Sequence, residues 1–282
     1  YQSIWMDEGS PLRVYTQRMA DSLELSLDGI RCEVGMRYGN PSVRSGLEKL
    51  RESGVEELLL APLFPHHAQA TTESSLKHAY KQLDKMGWDP HISELDNFPS
   101  DPLFIEPLVE SIRPYLDEEV HLLFSYHGLP ISHVKRADSS GKHCQKINGC
   151  CSISVDSNSK CYAHQCMLTT LSVTNSLGLD ASQWSMSYQS RLGPAKWLEP
   201  STTKKVEELA QKGVRNIAIV SPAFLADGLE TLEELDIEIR EHFYKFGGQK
   251  LSVVKCLNDN QDWIMGLGAL SSDAFKVIIP AD

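Results

Sequence analysis

The stretch FLADGLETLEELDIE, residues 224–238, places six acidic side chains in fifteen positions. Projected at about 100° per residue, Asp227, Glu230, Glu234 and Glu238 fall on one stripe, with Leu225, Leu229, Leu232 and Leu235 roughly opposite. Such a carboxylate row could attract a divalent cation or pass protons. It could equally be the solvated face of an amphipathic helix. Asp236 breaks the pattern by projecting into the leucine stripe. Either that acid is buried or the helix departs from regular α geometry there, as at a π-bulge.

A second candidate is His127, in LLFSYHGLP. A neutral imidazole can accept a proton or ligate a metal near neutral pH, though not both at once. The plain alternative is a hydrogen-bonded turn histidine. The third is a cysteine group: five of the seven cysteines, Cys144, Cys150, Cys151, Cys161 and Cys166, lie within residues 144–166 with the spacing C-x5-C-C-x9-C-x4-C. With no secretory signal at the start, a reducing compartment is expected, and a local cluster there reads as metal ligation.

The elements that must position these groups follow from the apolar runs. Residues 34–64 and 184–224 resemble each other: a short strand with Met-x-Tyr, a helix ending at Gly-Val, then a buried strand reaching Pro. Gly54 and Gly213 suit helix C-termini. The runs 58–63, 217–220 and 120–127 are continuously apolar, as parallel strands covered on both faces require. Strands alternating with helices imply an α/β fold of two similar Rossmann-like domains with parallel sheets and a cleft between them. The first domain is expected at 1–117 plus 253–282, and the second at 118–252 with a cysteine-rich insertion at about 140–166. Ligands of such folds sit beyond the carboxyl ends of the strands, so His127 and the start of the acidic helix should share that rim.

The 282 residues are 41% hydrophobic and 23% charged, with a formal net charge of −11. That acidity argues against a nucleic-acid partner, which needs a basic surface. No apolar run approaches the length of a membrane span.

LLFSYHGLP, YQSRLGPAKWLEPST, GLETLEELDIE and CLNDNQDWI, in this order and spacing, together with GMRYGNP and APLFPHHAQATTESS, resemble the ferrochelatase family over nearly the whole chain. The resemblance implies a lyase that inserts Fe²⁺ into protoporphyrin IX, the last step of haem synthesis, in an interdomain cleft. It makes His127 the active-site histidine and Glu230 the active-site glutamate, with Glu234 and Asp227 continuing the acidic line on a π-helical segment. It also implies that His127 and Glu230 meet the iron, and that Trp197 and the backbone of Gln189, Ser190 and Arg191 line the cleft. Ser10 and Arg37 are expected to meet the propionates or the ring edge. His66 and His67 read as loop residues with polar partners.

Two departures from the family pattern carry expectations of their own. The family opens with a strand like LLLNLGTP and a lip over the porphyrin, whereas this chain begins at Tyr1, past them. The first sheet is therefore expected to lack a strand, and these residues alone are not expected to be fully active. The cysteine-rich segment stands where many members carry a short turn. Some bacterial members resemble this chain in holding a [2Fe–2S] cluster there, which needs four thiolates. Cys144, Cys150, Cys151 and Cys161 are the expected ligands, with Cys166 as the alternate. Gln69 occupies the upstream position that is a cysteine in the animal type. A zinc site using His143 or His164, or free thiols, are the competing readings.

The expected setting is the cytoplasm, with peripheral membrane contact because the substrate is hydrophobic. Alternatives of other kinds are a non-catalytic porphyrin- or haem-binding homologue, a coproporphyrin-using ferrochelatase, and a cysteine-metal regulatory module.

Overall fold

Val120–His127, the longest apolar run, forms β3 at the centre of a four-stranded sheet. A computed structural model describes residues 4–117 and 119–276; residues 277–282, assigned above to the first domain, lie outside the described residues. Leu122, Leu123, Phe124 and Tyr126 of β3 are wholly buried, because helices cover both faces of the sheet. Trp184–Gln189 (β4) flanks it on one side and Asn216–Val220 (β5) on the other, with Lys250–Val253 (β6) at the far edge. Every pairing is parallel, and the register sets His127 beside Gln189 at the carboxyl ends of β3 and β4.

A second parallel sheet pairs Glu57–Leu60 (β1) with His91–Glu94 (β2). Leu58 and Leu60 pack there against Leu47 and Leu50 of α2 (Val43–Glu52) and Leu83 of α3 (Ser74–Met86). The last helix, Gln261–Lys276, returns to this side and packs on Pro11–Ser26 (α1) and Pro102–Ile112 (α4). Between β3 and β4 the chain forms Ile131–Arg136 (α5) and Tyr162–Leu177 (α6), with the cysteine-rich insertion between these two helices. The chain is thus α/β, built on two parallel sheets. Among the described residues no helix is long and apolar enough to cross a membrane.

The internal repeat is closer in geometry than in sequence. Ser42 and Ser201 each cap a helix, accepting a hydrogen bond from the backbone N–H three residues on, at the starts of α2 and of Thr202–Gln211. Each follows a cis proline, Pro41 or Pro200, whose carbonyl accepts from the N–H of Met36 or Tyr188. Gly54 and Gly213, with φ of +76° and +92°, end the two helices as expected. One expectation needs correcting. Met186-x-Tyr188 lies in β4, but Met36-x-Tyr38 forms no strand, and Met36 makes only an isolated bridge to Ser42. The structural partner of Tyr188 is Met36 rather than Tyr38, so the shared Met-x-Tyr pattern is offset by two residues.

The acidic helix is π over Glu230–Ile239. Its wider turn rotates Asp236 off the leucine face, where it pairs with Arg240, while Leu235 and Ile239 stay buried. This resolves the misfit seen in the regular helical projection.

Candidate active site

His127 ends β3, and the next residue runs close against β4. Gly128 donates from its N–H to the Gln189 carbonyl at 2.8 Å. A Cβ at Gly128 would stand 2.6 Å from that same oxygen and 3.6 Å from the Trp197 ring, so only glycine fits this approach. The Tyr162 hydroxyl donates to the His127 carbonyl at 2.8 Å, and the Phe224 ring meets the imidazole edge-on at 6.0 Å. Burial pushes the His127 pKa below the ordinary imidazole value; the negative charges of Glu230 and Glu234 act on the ring in the opposite sense, less strongly. The histidine is therefore held neutral in the field of two carboxylates from a helix about a hundred residues away in sequence.

Gln189 ties the rim together. Its side-chain carbonyl accepts from Ser125 at 2.7 Å and Ser221 at 3.3 Å, and its amide donates to the Glu230 carbonyl at 2.8 Å and to Glu234 at 3.4 Å. One buried amide thus joins β3, β4, the end of β5 and the π-helix. Beyond it Ser190 adopts a left-handed φ of +59°, and both its N–H and its hydroxyl donate to Glu234, at 2.7 and 2.6 Å. Arg191 pairs with Glu199 at 2.8 Å. Trp197 bridges Pro130 through its backbone and keeps its indole N–H buried without a hydrogen-bond partner.

Asp227 lies deeper than the glutamates, 3% exposed. Its carboxylate accepts from Thr231 at 2.9 Å, from the Asn258 amide at 2.7 Å and from the Cys256 N–H at 3.4 Å, and its own N–H donates to Asn258. These bonds clamp the start of the helix to the loop after β6. From the opposite side, Leu12 of α1 comes within 4.0 Å of where a Gly228 Cβ would stand, which brings α1 against the first turn of the acidic segment. Ser10 sits at the N-cap position of α1 without a side-chain capping bond. Arg37 lies on Tyr38, 4.6 Å from the ring centroid, and donates to Ser74 at 3.2 Å. His66 is buried against Tyr126 and Tyr162, shares a 2.8 Å hydrogen bond with Thr169, and is pushed by burial down to about 3.

In the insertion the thiols gather. The Cys150 and Cys151 sulfurs are 3.8 Å apart, about the separation of two thiolates on one tetrahedral metal with bonds of about 2.3 Å. Cys144, pushed up to about 11, and Cys151, pushed up to about 12, owe this first to burial and then to neighbouring thiols, Cys161 among them. Such groups keep their protons unless a cation joins them. Cys166 is fully buried in α6, hydrogen-bonded with Tyr162. His143 and His164 each meet a backbone carbonyl with one ring nitrogen, of Cys150 at 2.8 Å and of Cys151 at 2.7 Å, and the other nitrogen of His164 meets Ser154 at 3.3 Å. Among the described residues no three His, Cys, Asp or Glu side chains stand in a geometry ready to hold a metal ion. The thiol pair suits a metal, but the full ligand set is not closed.

Gln189, Tyr162 and Asn258 drew no role for their side chains from sequence. Their partners lie 31 to 64 residues distant, and only the fold makes them neighbours.

The family model for ferrochelatase matches residues 1–274. A ferrochelatase of Ectopseudomonas mendocina is 41% identical over 276 residues, 97% of this chain and 81% of the relative. One of Bdellovibrio bacteriovorus is 41% identical over 273 residues, 96% of this chain and 80% of the relative. Among solved structures, SirB from Bacillus subtilis with Fe3+ aligns with a TM-score of 0.58 at 13% identity, covering 95% of this chain and 94% of that one. DR2241 from Deinococcus radiodurans, described as similar to chelatases, aligns at 0.52 and 13% identity, covering 94% of this chain and 53% of that one. At these identities the two structures speak for a chelatase-like fold.

Proposed function

The chain belongs to the ferrochelatase family, and from that premise we propose that it inserts Fe²⁺ into protoporphyrin IX to give protohaem, the last step of haem biosynthesis. The observation that carries the reading is a burial-neutralised imidazole, His127, in the field of Glu230 and Glu234 at the carboxyl end of the central strand. The reaction exchanges one Fe²⁺ for the two pyrrole N–H protons of the macrocycle, so the protein needs an uncharged base facing the ring and acceptors behind it. His127 takes a pyrrole proton on its free ring nitrogen. Glu230 stabilises the imidazolium that results, draws Fe²⁺ toward the ring and passes the proton outward, which returns His127 to its neutral form to take the second pyrrole proton in the same way.

Glu234 and Asp227 continue the acidic line, with their hydrogen bonds to Ser190 and Asn258 fixing its orientation. Trp197 and the Gln189–Arg191 loop form one wall of the porphyrin site. Ser10 and Arg37 reach the propionate edge, where a guanidinium suits a carboxylate. The chain divides into a first unit of 1–117 plus 253–282 and a second of 118–252, with the macrocycle between them; the presence of two separate parallel sheets supports this division, although Val253 pairs within the second sheet.

Cys144, Cys150, Cys151 and Cys161 would hold a [2Fe–2S] cluster once their thiols close around it, and the cluster would supply a redox-responsive brace for the segment after His127. Support comes from the 3.8 Å thiol pair and from the mutual influence of the four sulfurs. The protein works as a lyase in the cytoplasm, touching a membrane surface where its hydrophobic substrate resides.

The deciding experiment is an anaerobic titration of Fe²⁺ and protoporphyrin followed by visible absorbance. Conversion of the free-base bands to a metalloporphyrin spectrum, abolished in His127→Ala, is expected. Porphyrin binding without conversion would leave a non-catalytic binder instead.

A further inference from the structure

Apart from the His127 rim, a cavity of about 190 Å³ opens where three separate segments meet: the loop and π turn around Gln69–Glu73, the short helix α5, and the start of α6. His67, His133, Arg136 and Lys160 line it together with Glu73 and Tyr162. Two permanently charged side chains, Arg136 and Lys160, thus meet two imidazoles in one small space in a chain whose net charge is −11, with burial pushing the His67 pKa below its ordinary value. The single acid does not neutralise them. Glu73 is already held by Lys77 at 3.0 Å and His67 at 3.5 Å. By contrast, among the described residues the Arg136 and Lys160 side chains have neither an ion pair nor a hydrogen bond to any protein group.

We propose that this cavity binds a small oxyanion, a phosphate or carboxylate group, between Arg136 and Lys160. A guanidinium presents two parallel N–H donors matched to two oxygens of such a group, and a lysine ammonium supplies a movable point charge beside it. Arg136 and Lys160 are both exposed; like charges brought together by the fold repel one another, and an anion between them turns that repulsion into attraction. The site has a structural link to the rim: Tyr162 lines the cavity and donates to the His127 carbonyl at 2.8 Å.

The test is isothermal titration calorimetry of the intact protein with inorganic phosphate and, separately, with citrate, in a low-salt buffer free of other oxyanions. Binding of at least one is expected. It should weaken by at least tenfold in Arg136→Ala/Lys160→Ala, and hold in a control that removes the same charge elsewhere, Lys81→Ala/Lys142→Ala. Phosphate alone binding assigns the site to phosphate groups, and citrate alone to carboxylates. Binding of neither, or equal loss in the control, overturns the proposal. Should the double variant not fold, Lys160→Gln alone gives the same reading, since that side chain is exposed and carries no hydrogen bond.

Discussion

Glu234 holds Ser190 by two hydrogen bonds, one from its backbone N–H at 2.7 Å and one from its hydroxyl at 2.6 Å. Ser190 needs them, because its left-handed φ of +59° is a conformation that side-chain-bearing residues adopt at a cost of about 1–2 kcal/mol. Hydrogen bonds to a charged group contribute about 1.5–3 kcal/mol each. Glu234→Ala should therefore release the loop that walls the cleft and lower kcat/KM for porphyrin by about 10- to 100-fold, mainly through KM. Glu234→Gln keeps one acceptor oxygen and should lose much less. Equal losses in the two variants, confined to kcat, would instead make the carboxylate a proton carrier.

The state of His127 sets the acid limit of activity. Burial is the larger influence and favours the neutral ring, so proton acceptance should persist below 6.5, the ordinary value, and fail only as pH falls through the depressed pKa. Glu230 raises that pKa, hence Glu230→Gln should move the His127 titration to still lower pH. NMR titration of the ring in both proteins measures this directly. A midpoint at or above 6.5, or an upward move in the variant, contradicts the arrangement.

Gly128, just past the end of β3, runs close against the end of β4. An alanine methyl there would lie 2.6 Å from the Gln189 carbonyl oxygen, a backbone atom that cannot swing aside. Gly128→Ala should destabilise by about 1–3 kcal/mol and lower the melting temperature by several degrees. It should also reduce activity, since the displaced strand carries Gln189 and Ser190. A variant that melts and turns over like the parent would show that the two strands separate freely.

Asp227 reads in sequence as part of an acidic relay, yet its oxygens are filled by Thr231, Asn258 and the Cys256 N–H. Asp227→Asn replaces one acceptor oxygen with a donor that faces the Asn258 amide. A loss of about 1–3 kcal/mol of stability is expected by denaturant melt. The conservative swap Asn258→Asp should be at least as damaging, as two carboxylates would then meet. A stable Asp227→Asn with depressed kcat would return the residue to the relay.

Much of the frame was legible because it is local. β3 begins and ends where its apolar run does, and Gly54 and Gly213 mark helix ends by their backbone freedom. Asp236, the residue that spoiled the helical projection, is where the π geometry shows itself. Met36-x-Tyr38 misled because two similar tripeptides sit two positions apart in the folded repeat. The buried amide of Gln189 could not be foreseen, since its partners Ser125, Ser221 and Glu230 are 64, 32 and 41 residues away. The cavity around Arg136 and Lys160 escaped for the same reason: no spacing rule relates three segments that only packing joins.

The thiol group of the insertion offers a final test with a visible readout. Left alone, Cys144 and Cys151 should hold their protons at neutral pH, because burial and neighbouring thiols push them up to about 11 and about 12. A bound cation reverses this by stabilising thiolates, so metal loading should release protons. Protein purified without oxygen should be brown, with about two iron and two sulfide per chain if the group is [2Fe–2S]. Cys151→Ser should bleach it, whereas Cys32→Ser and Cys256→Ser, outside the insertion, should not. Cys166→Ser should keep the colour as well, given its burial and its bond with Tyr162. Colourless protein carrying about one zinc would replace the iron–sulfur assignment, and colourless protein without metal would leave the sulfurs as ordinary thiols.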